Sequence, residues 1–427
     1  MKQLSMFQIV LLAVFGALGV AGVLVFALAV GRNSGDQVGV VSIWGTLDER
    51  AFSAVIRHMT DNDQRLSQVT YTEKDPTKYR EQLTEALAAG SGPELFLLEQ
   101  SYTLRDAGKV VVIPEASLPS EEFKDTFVEA ANSFLIPGGT VAVPILVDPL
   151  VLYWNRDVFA TNGLAEPPVF WSELFTLAER MSKKTPSGTL TKSTIAFGEY
   201  QNVENAKAIL ATLILQAGGT VTARDSAGIL APALVPRNPG AERAAESALR
   251  FYTEFSNPAK DVYSWNRALR NSRVAFSSGD LALYVGYASE ASLINSMNPN
   301  LNYGVALLPQ TKDDRTITSA RVYGLAVSRQ SKNPGGAMTA AFLLGSKEPE
   351  RLLSDALGIP AARRDVLSGS DGVAAHSALI ANSWLDPDPE RTAILFRAMI
   401  ENVTSGVSRL TEAVQRADQE LGQIIGL

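Results

Sequence analysis

Apolar residues in the region 38–98 follow two alternating patterns. Three runs have the length and apolar content of buried strands: 38–44, 68–72 and 94–98. The segments between them space their apolar residues three and four apart, as Phe52, Val55, Ile56 and Met59 do, which is typical of amphipathic helices. Strands that alternate with helices in this way predict a parallel sheet covered by helices, and therefore an α/β fold.

Residues 140–155 indicate a crossover, because two apolar runs flank Asp148-Pro149. Proline cannot donate a hydrogen bond to a strand ladder, so we expect the strand to break there and the chain to enter a second lobe. Helical patterns then build that lobe: 170–183, 204–217 and 239–256. Two later apolar runs return the chain to the first lobe: 303–308 and 322–328.

The length of the chain predicts two lobes. About 390 residues follow position 37, enough for two separate cores. We expect the first lobe, a discontinuous α/β unit, to comprise 38–147 and 310–361. The second, helix-rich lobe comprises 148–309 and 362–427. Residues 1–37 precede both lobes as an anchor and a linker.

Residues 7–30 are 24 consecutive uncharged positions. At about 1.5 Å of rise per residue, a helix of this length crosses a hydrocarbon core of roughly 30 Å. The sequence therefore predicts a single-pass N-terminal transmembrane helix in the cell membrane, with the folded part outside the cytoplasm. The alternative is a cleaved secretory signal, since Ala27-Leu28-Ala29 resembles a signal peptidase site. Both alternatives export the remaining residues.

The composition argues against several classes of function. Without cysteine, the chain can form neither disulfides nor thiolate metal sites. Its net charge of −7 and the lack of a Lys/Arg cluster argue against a nucleic acid partner. Only two histidines occur, with no P-loop, His-Glu-x-x-His or Gly-x-Ser-x-Gly motif. We expect no enzyme activity, cofactor or metal ion, although a cleft carboxylate pair suited to glycoside hydrolysis remains an alternative.

Several stretches across 38–427 resemble, in their order, the family 1 extracellular solute-binding proteins of ABC importers, which include the maltose-binding proteins. These stretches are 44–52, 88–94, 144–148, 153–157, 163–174, 274–279, 323–327, 358–363 and 399–406. Two features depart from the family pattern. Glu94 stands where an Asp is usual after Gly-Pro, and a hydrophobic segment replaces the lipid-carrying cysteine.

The resemblance implies a two-lobed fold like that of the periplasmic binding proteins, with a ligand cleft between the lobes. It implies the substrate-binding subunit of an ABC transporter, a monomer that closes on a small solute such as a sugar or an oligosaccharide. That subunit would deliver its solute to permease subunits in the membrane. A ligand-sensing ectodomain of the same fold, coupled to a membrane signalling partner, is the alternative.

The resemblance and the predicted strand ends also indicate polar candidates for ligand binding. Asp48 and Asp148 match cleft carboxylates of sugar-binding relatives. Asp48 could instead complement the first turn of a helix, whose start is indicated by a capping box formed by Thr46 and Glu49. A second group follows a predicted strand, where the loops of parallel sheets meet ligands, or forms an ordinary polar loop: Glu99, Gln100 and Ser101.

Aromatic candidates complete the predicted site. Tyr287 matches the aromatic platform of carbohydrate-binding relatives, where a ring packs against the C–H face of a sugar. Its alternative role is that of a core tyrosine. Further platform candidates, each also explained by simple packing, are Trp44, Trp265, Tyr323 and Trp384.

Overall fold

Two clusters of buried apolar side chains divide the protein into two lobes. The computed structural model describes residues 38–225, 228–238, 242–312 and 315–426. The predicted transmembrane segment 7–30 lies outside these residues. Among the helices of the described ranges, none has both the length and the apolar character needed to cross a bilayer.

The first lobe is built on the predicted parallel strands, which the structure confirms. Its elements before the crossover are β1 (Val41–Gly45), α1 (Glu49–Asn62), β2 (Val69–Glu73), α2 (Tyr79–Ala88), β3 (Leu95–Glu99) and α3 (Ser120–Thr126). In the parallel register, Ile43 of β1 lies between Tyr71 of β2 and Leu95 of β3. The carboxyl ends of the three strands therefore share one edge of the sheet.

The crossover differs from the prediction, because β4 (Val143–Asn155) is one continuous strand that passes through Pro149. Its first half pairs with residues of the first lobe and its second half with residues of the second, and Pro149 stands where the pairing partner changes. Pro149 needs no N–H of its own at this point, and its carbonyl oxygen accepts a hydrogen bond from Ala288 N at 2.9 Å. The predicted break is wrong, but the chain does pass from one core to the other here.

The second lobe follows the crossover. Its elements are α4 (Arg156–Thr161), α5 (Glu173–Met181), β5 (Leu190–Ile195), α6 (Ala206–Gln216), β6 (Thr222–Arg224), β7 (Leu230–Pro232), α7 (Ala244–Glu254), α8 (Ser272–Ser277), β8 (Leu281–Tyr287), α9 (Glu290–Met297) and β9 (Tyr303–Ala306). The prediction that the run 303–308 returns the chain to the first lobe is wrong, because β9 pairs with the second half of β4. Strand β10 (Thr318–Val327) returns the chain instead, and the shared sheet has the order β2-β1-β3-β10-β4-β8-β5. Strands β4 and β10 thus connect the lobes side by side.

The C-terminal region divides between the lobes at a different place from the predicted boundary. Its helices are α10 (Pro334–Leu344), α11 (Lys347–Leu357), α12 (Arg364–Leu367), α13 (Val373–Leu379), α14 (Pro389–Thr404) and α15 (Leu410–Ile425). We expected residues from 362 onward in the second lobe, but Leu367, Ala378 and Ala381 are buried in the first core. Backbone hydrogen bonds explain this, since Val147 N donates to Pro360 O at 2.8 Å and ties the segment to β4. Only α14 and α15 pack mainly into the second core.

Candidate functional site

A cavity of about 220 Å³ lies between the two lobes. The first lobe contributes the residues that follow β3, and the second lobe contributes the first turn of α6, the end of β8 and the segment before α14. The lining residues used below are Glu99, Gln100, Ser101, Tyr102, Asn205, Lys207, Ala208, Tyr287, Ala320, Arg321, Trp384 and Asp386. The cavity therefore lies at a carboxyl-end edge of the sheet, where α/β proteins bind their ligands.

Arg321 is the central cation of this cavity. It lies on β10, half-buried, with its guanidinium carbon 3.8 Å from the centroid of the Tyr287 ring. Within the described ranges, its N–H groups have no hydrogen-bonding or ion-pairing partner, although the acids Glu99 and Asp148 act on it through space. Burial raises the pKa of Tyr287 to about 12, so the phenol is neutral at physiological pH. The pair presents a cation beside an apolar ring.

The predicted group Glu99, Gln100 and Ser101 lies at the cavity wall. Ser101 Oγ donates to Glu99 Oε1 at 2.7 Å. Gln100 is committed to β10 instead, because its amide nitrogen donates to Ala320 O at 3.1 Å and its oxygen accepts from Val322 N at 2.7 Å. Of the three, Glu99 has the most capacity left for a ligand.

Asp148 does not line the cavity. Its carboxylate is 1% exposed and accepts hydrogen bonds from Ser289 N at 2.9 Å and from Ser289 Oγ at 2.6 Å. Burial raises the pKa of Asp148 to about 6, against the opposing effect of the Ser289 hydrogen bonds. These contacts fasten the turn after β8 to the crossover strand, so a direct contact of Asp148 with a ligand stays a prediction.

Among the aromatic candidates, Tyr287 and Trp384 line the cavity and Trp265 does not. The prediction for Trp265 is wrong, because its side chain is 1% exposed in the second core and its indole N–H donates to Asn202 Oδ1 at 3.1 Å. Trp384 packs against Phe396 with the ring centroids 6.2 Å apart. Tyr287, 5% exposed, belongs both to the second core and to the cavity wall.

The two remaining aromatic candidates lie on the first lobe and are not among the residues that line the cavity. Trp44 is half-buried at the end of β1, with Lys74 Nζ 3.8 Å from its ring centroid. Tyr323 lies opposite Glu99 in the β3–β10 register. For both, ligand contact stays a prediction.

Asp48 has a structural role at the start of α1. Its Oδ1 accepts a hydrogen bond from Ala51 N at 2.8 Å, so Asp48 is the N-cap. The predicted capping box of Thr46 and Glu49 is wrong, because the helix begins two residues later than that motif requires. A contact between Asp48 and a ligand stays a prediction.

Sequence reasoning missed Arg321 and a polar cluster on the second lobe. Lys207 Nζ contacts Asp386 Oδ2 at 2.6 Å and Thr392 Oγ1 at 2.8 Å. Burial raises the pKa of Asp386, although the nearby Lys207 opposes this. The only local sequence signal that could have indicated Arg321 as a site residue is its charge next to the apolar run 322–328.

Side chains of the two lobes meet next to the cavity. Arg105 of the first lobe forms an ion pair with Glu390 of α14, and its guanidinium lies 3.8 Å from Asp388 Oδ1. Tyr102 OH donates to Glu390 Oε1 at 3.2 Å. We call Tyr102, Arg105, Asp388 and Glu390 the interlobe latch. Its contacts hold the lobes together on this side of the cavity.

The described residues contain no group of His, Cys, Asp or Glu arranged to hold a metal ion. What the cavity offers is hydrogen-bond donors and acceptors together with aromatic surface. This combination is that of a site which binds a polar organic solute.

Comparisons with known proteins agree with this geometry. A putative binding protein of Brucella abortus (strain 2308) is 23% identical over 271 residues, which are 63% of this chain and 62% of that protein. A probable ABC transporter-binding protein of Deinococcus radiodurans is 22% identical over 303 residues, which are 69% of this chain and 64% of that protein. The chain thus spans less than two thirds of the length of these relatives.

Solved structures share the fold. The cyclic α-maltosyl-1,6-maltose binding protein of Arthrobacter globiformis has a TM-score of 0.75 at 15% identity, covering 90% of this chain and 98% of that one. A cyclo/maltodextrin-binding protein complexed with maltotetraose has a TM-score of 0.73 at 17% identity, covering 92% and 99%. An ABC transporter solute-binding protein of Thermotoga lettingae TMO, bound with α-D-tagatose, has a TM-score of 0.68 at 20% identity, covering 91% and 100%.

Residues 67–348, about two thirds of the chain, match the family model described as bacterial extracellular solute-binding protein. The family match and the shared two-lobed fold agree with the resemblance that the sequence motifs indicated. The chain belongs to the bacterial extracellular solute-binding protein family.

Proposed function

We propose that this protein is the substrate-binding subunit of an ABC importer, which binds a sugar or an oligosaccharide between its lobes and delivers it to a membrane permease. The observation that carries the proposal is the cavity lined by both lobes. In the described part of the chain, the strands β4 and β10 run side by side from one lobe to the other, which allows the lobes to close on a solute in this cavity. The similarity to the probable ABC transporter-binding protein of Deinococcus radiodurans supports the importer, and the maltotetraose and tagatose bound in similar solved structures support the sugar.

Closure of the lobes completes ligand binding. A solute held by Glu99 of the first lobe and Trp384 of the second stabilises the conformation in which both contact it. Pro149 lies at the point where β4 changes its pairing partner, which supports this part of the crossover as the hinge. No bond of the solute is broken in this function.

The test is a thermal-shift screen of the purified protein with mono- and oligosaccharides, followed by small-angle scattering with each stabilising sugar. A ligand at 100 times its dissociation constant adds about 2.7 kcal/mol to the stability, and closure reduces the radius of gyration. If a sugar binds and the radius stays unchanged, closure is refuted. Chromatography of the sugar after incubation separates a binding protein from a glycoside hydrolase, because the former yields no product.

We further propose that residues 7–30 anchor the protein in the cell membrane, with the two lobes outside the cytoplasm. The support is the length of the uncharged run. The protein should stay with membranes after a carbonate wash while externally added protease digests the lobes. A mature amino terminus near Val30 would refute the anchor and leave the binding proposal intact.

A further inference from the structure

The helix α6 begins at the cavity without a side-chain cap. Its N-cap residue Asn205 has a positive φ of 61°, and its amide donates to Glu290 Oε1 at 2.7 Å instead of turning back to the helix. In the described part of the chain, the backbone N–H groups of Lys207 and Ala208 have no acceptor. The first turn of this 11-residue helix therefore presents unused donors and the positive end of the helix dipole to the cavity.

The guanidinium group of Arg321 supplies a second, independent set of unused hydrogen-bond donors at the same cavity. Its strand β10 is tied to α6, because Thr212 Oγ1 donates to Ser319 Oγ at 2.8 Å. A guanidinium carries five N–H donors in a planar fork that matches the oxygens of a carboxylate or a phosphate. In this structure the fork contacts the Tyr287 ring and pairs with no acid of the described ranges.

The acids near the cavity are already partly engaged. Asp386 pairs with Lys207, and Asp148 accepts both of its hydrogen bonds from Ser289. Glu99 accepts from Ser101 through one oxygen, which leaves the other oxygen to accept from a hydroxyl group. The formal charges of the four charged lining residues sum to zero: Glu99, Lys207, Arg321 and Asp386. The uncapped end of α6 adds a partial positive charge, so the cavity favours an anionic group.

We propose that the solute is an acidic saccharide, whose carboxylate or phosphate group binds between Arg321 and the first turn of α6. The inference rests on the proposed function and names the substrate class of that site. The hydroxyl groups of the sugar bind Glu99. The cavity volume of about 220 Å³ lies below the range of about 300–1,000 Å³ common for drug-sized ligands, which favours one or two sugar rings.

The test is calorimetric titration of the full-length protein with two acidic probes, digalacturonate and glucose 1-phosphate, and with their neutral counterparts, galactobiose and glucose. At least one acidic probe should bind ten times more tightly than its neutral counterpart, and its affinity should fall as salt is added. Comparing the two acidic probes separates a carboxylate from a phosphate.

The substitution Arg321→Gln should reduce the affinity for the acidic probe tenfold or more and change that for the neutral sugar much less. Arg397→Gln is the matched control, because Arg397 is exposed on α14 and pairs with Glu401 of the same helix. It should leave both affinities unchanged. If Arg321→Gln does not fold, Arg321→Lys keeps the charge without the planar fork and should weaken the acidic probe alone.

The outcomes distinguish the two proposals. Neutral sugars that bind as tightly as their acidic counterparts overturn the acidic-saccharide inference and leave the proposed function standing. Equal losses of acidic and neutral binding in the Arg321 variant also overturn it. Failure of every saccharide to bind overturns both proposals.

Discussion

The interlobe latch should contribute to ligand affinity although it touches no ligand in our proposal. Glu390 forms an ion pair with Arg105 and accepts a hydrogen bond from Tyr102. Because Glu390 and its two partners belong to different lobes, these contacts form only when the lobes are close. Exposed ion pairs are typically worth about 0.2–1 kcal/mol, and the Arg105 and Glu390 side chains are 42% and 51% exposed. Glu390→Gln should therefore destabilise the closed conformation by up to about 1 kcal/mol and weaken sugar binding by up to about fivefold.

The control for this prediction is Glu401→Gln on the same helix α14. Glu401 also pairs with an arginine, Arg397, at 3.1 Å, but within the helix and not across the lobes. Titration calorimetry should show weaker binding for Glu390→Gln only, and added salt should reduce the difference between that variant and the wild type. Equal affinities of Glu390→Gln and the wild type at low salt, or an equal loss in Glu401→Gln, would refute the reasoning.

Three further variants test the assignments of side chains to core, cleft and hinge. Trp265→Ala should lower the stability by about 3–5 kcal/mol, measured by denaturant unfolding, and leave sugar affinity unchanged where the protein is folded, because the ring is buried away from the cavity. Trp384→Ala should instead weaken binding several-fold with a smaller loss of stability, since that half-buried ring lines the cavity. For Asp148, burial raises the pKa from its ordinary value of 3.8 to about 6, so the folded state binds the proton more tightly than the unfolded state, and stability is lost as the pH rises between these two values. The wild type should gain stability relative to Asp148→Asn as the pH falls from 7 to 4, and a difference independent of pH would contradict the raised pKa.

The sequence predicted the parallel strands of the first lobe because their apolar runs are a local signal. It predicted the continuous strand β4 incorrectly, since Pro149 breaks a ladder only where its missing N–H would be needed. Trp265 was misplaced because an apolar ring has the same sequence signal in a core and in a cleft. Arg321 was missed because Tyr287, the ring it contacts, is 34 positions away and approaches it only after β8 and β10 take their places around β4.

In the proposed function, the position of Arg321 connects ligand binding to closure. In the register of β10 and β4, Arg321 lies opposite Asp148, and the neighbouring pair Ala320 and Pro149 is the last before β4 changes its partner. Asp148 in turn holds Ser289, which follows the cavity residue Tyr287 by two positions. A solute group bound at Arg321 therefore lies at the pivot, where lobe rotation displaces the binding side chain least. Closure then brings the other lining residues onto the solute, Glu99 from the first lobe and Trp384 from the second. In the proposed mode of binding, Arg321 recognises the solute in the open conformation, and closure adds the contacts that retain it.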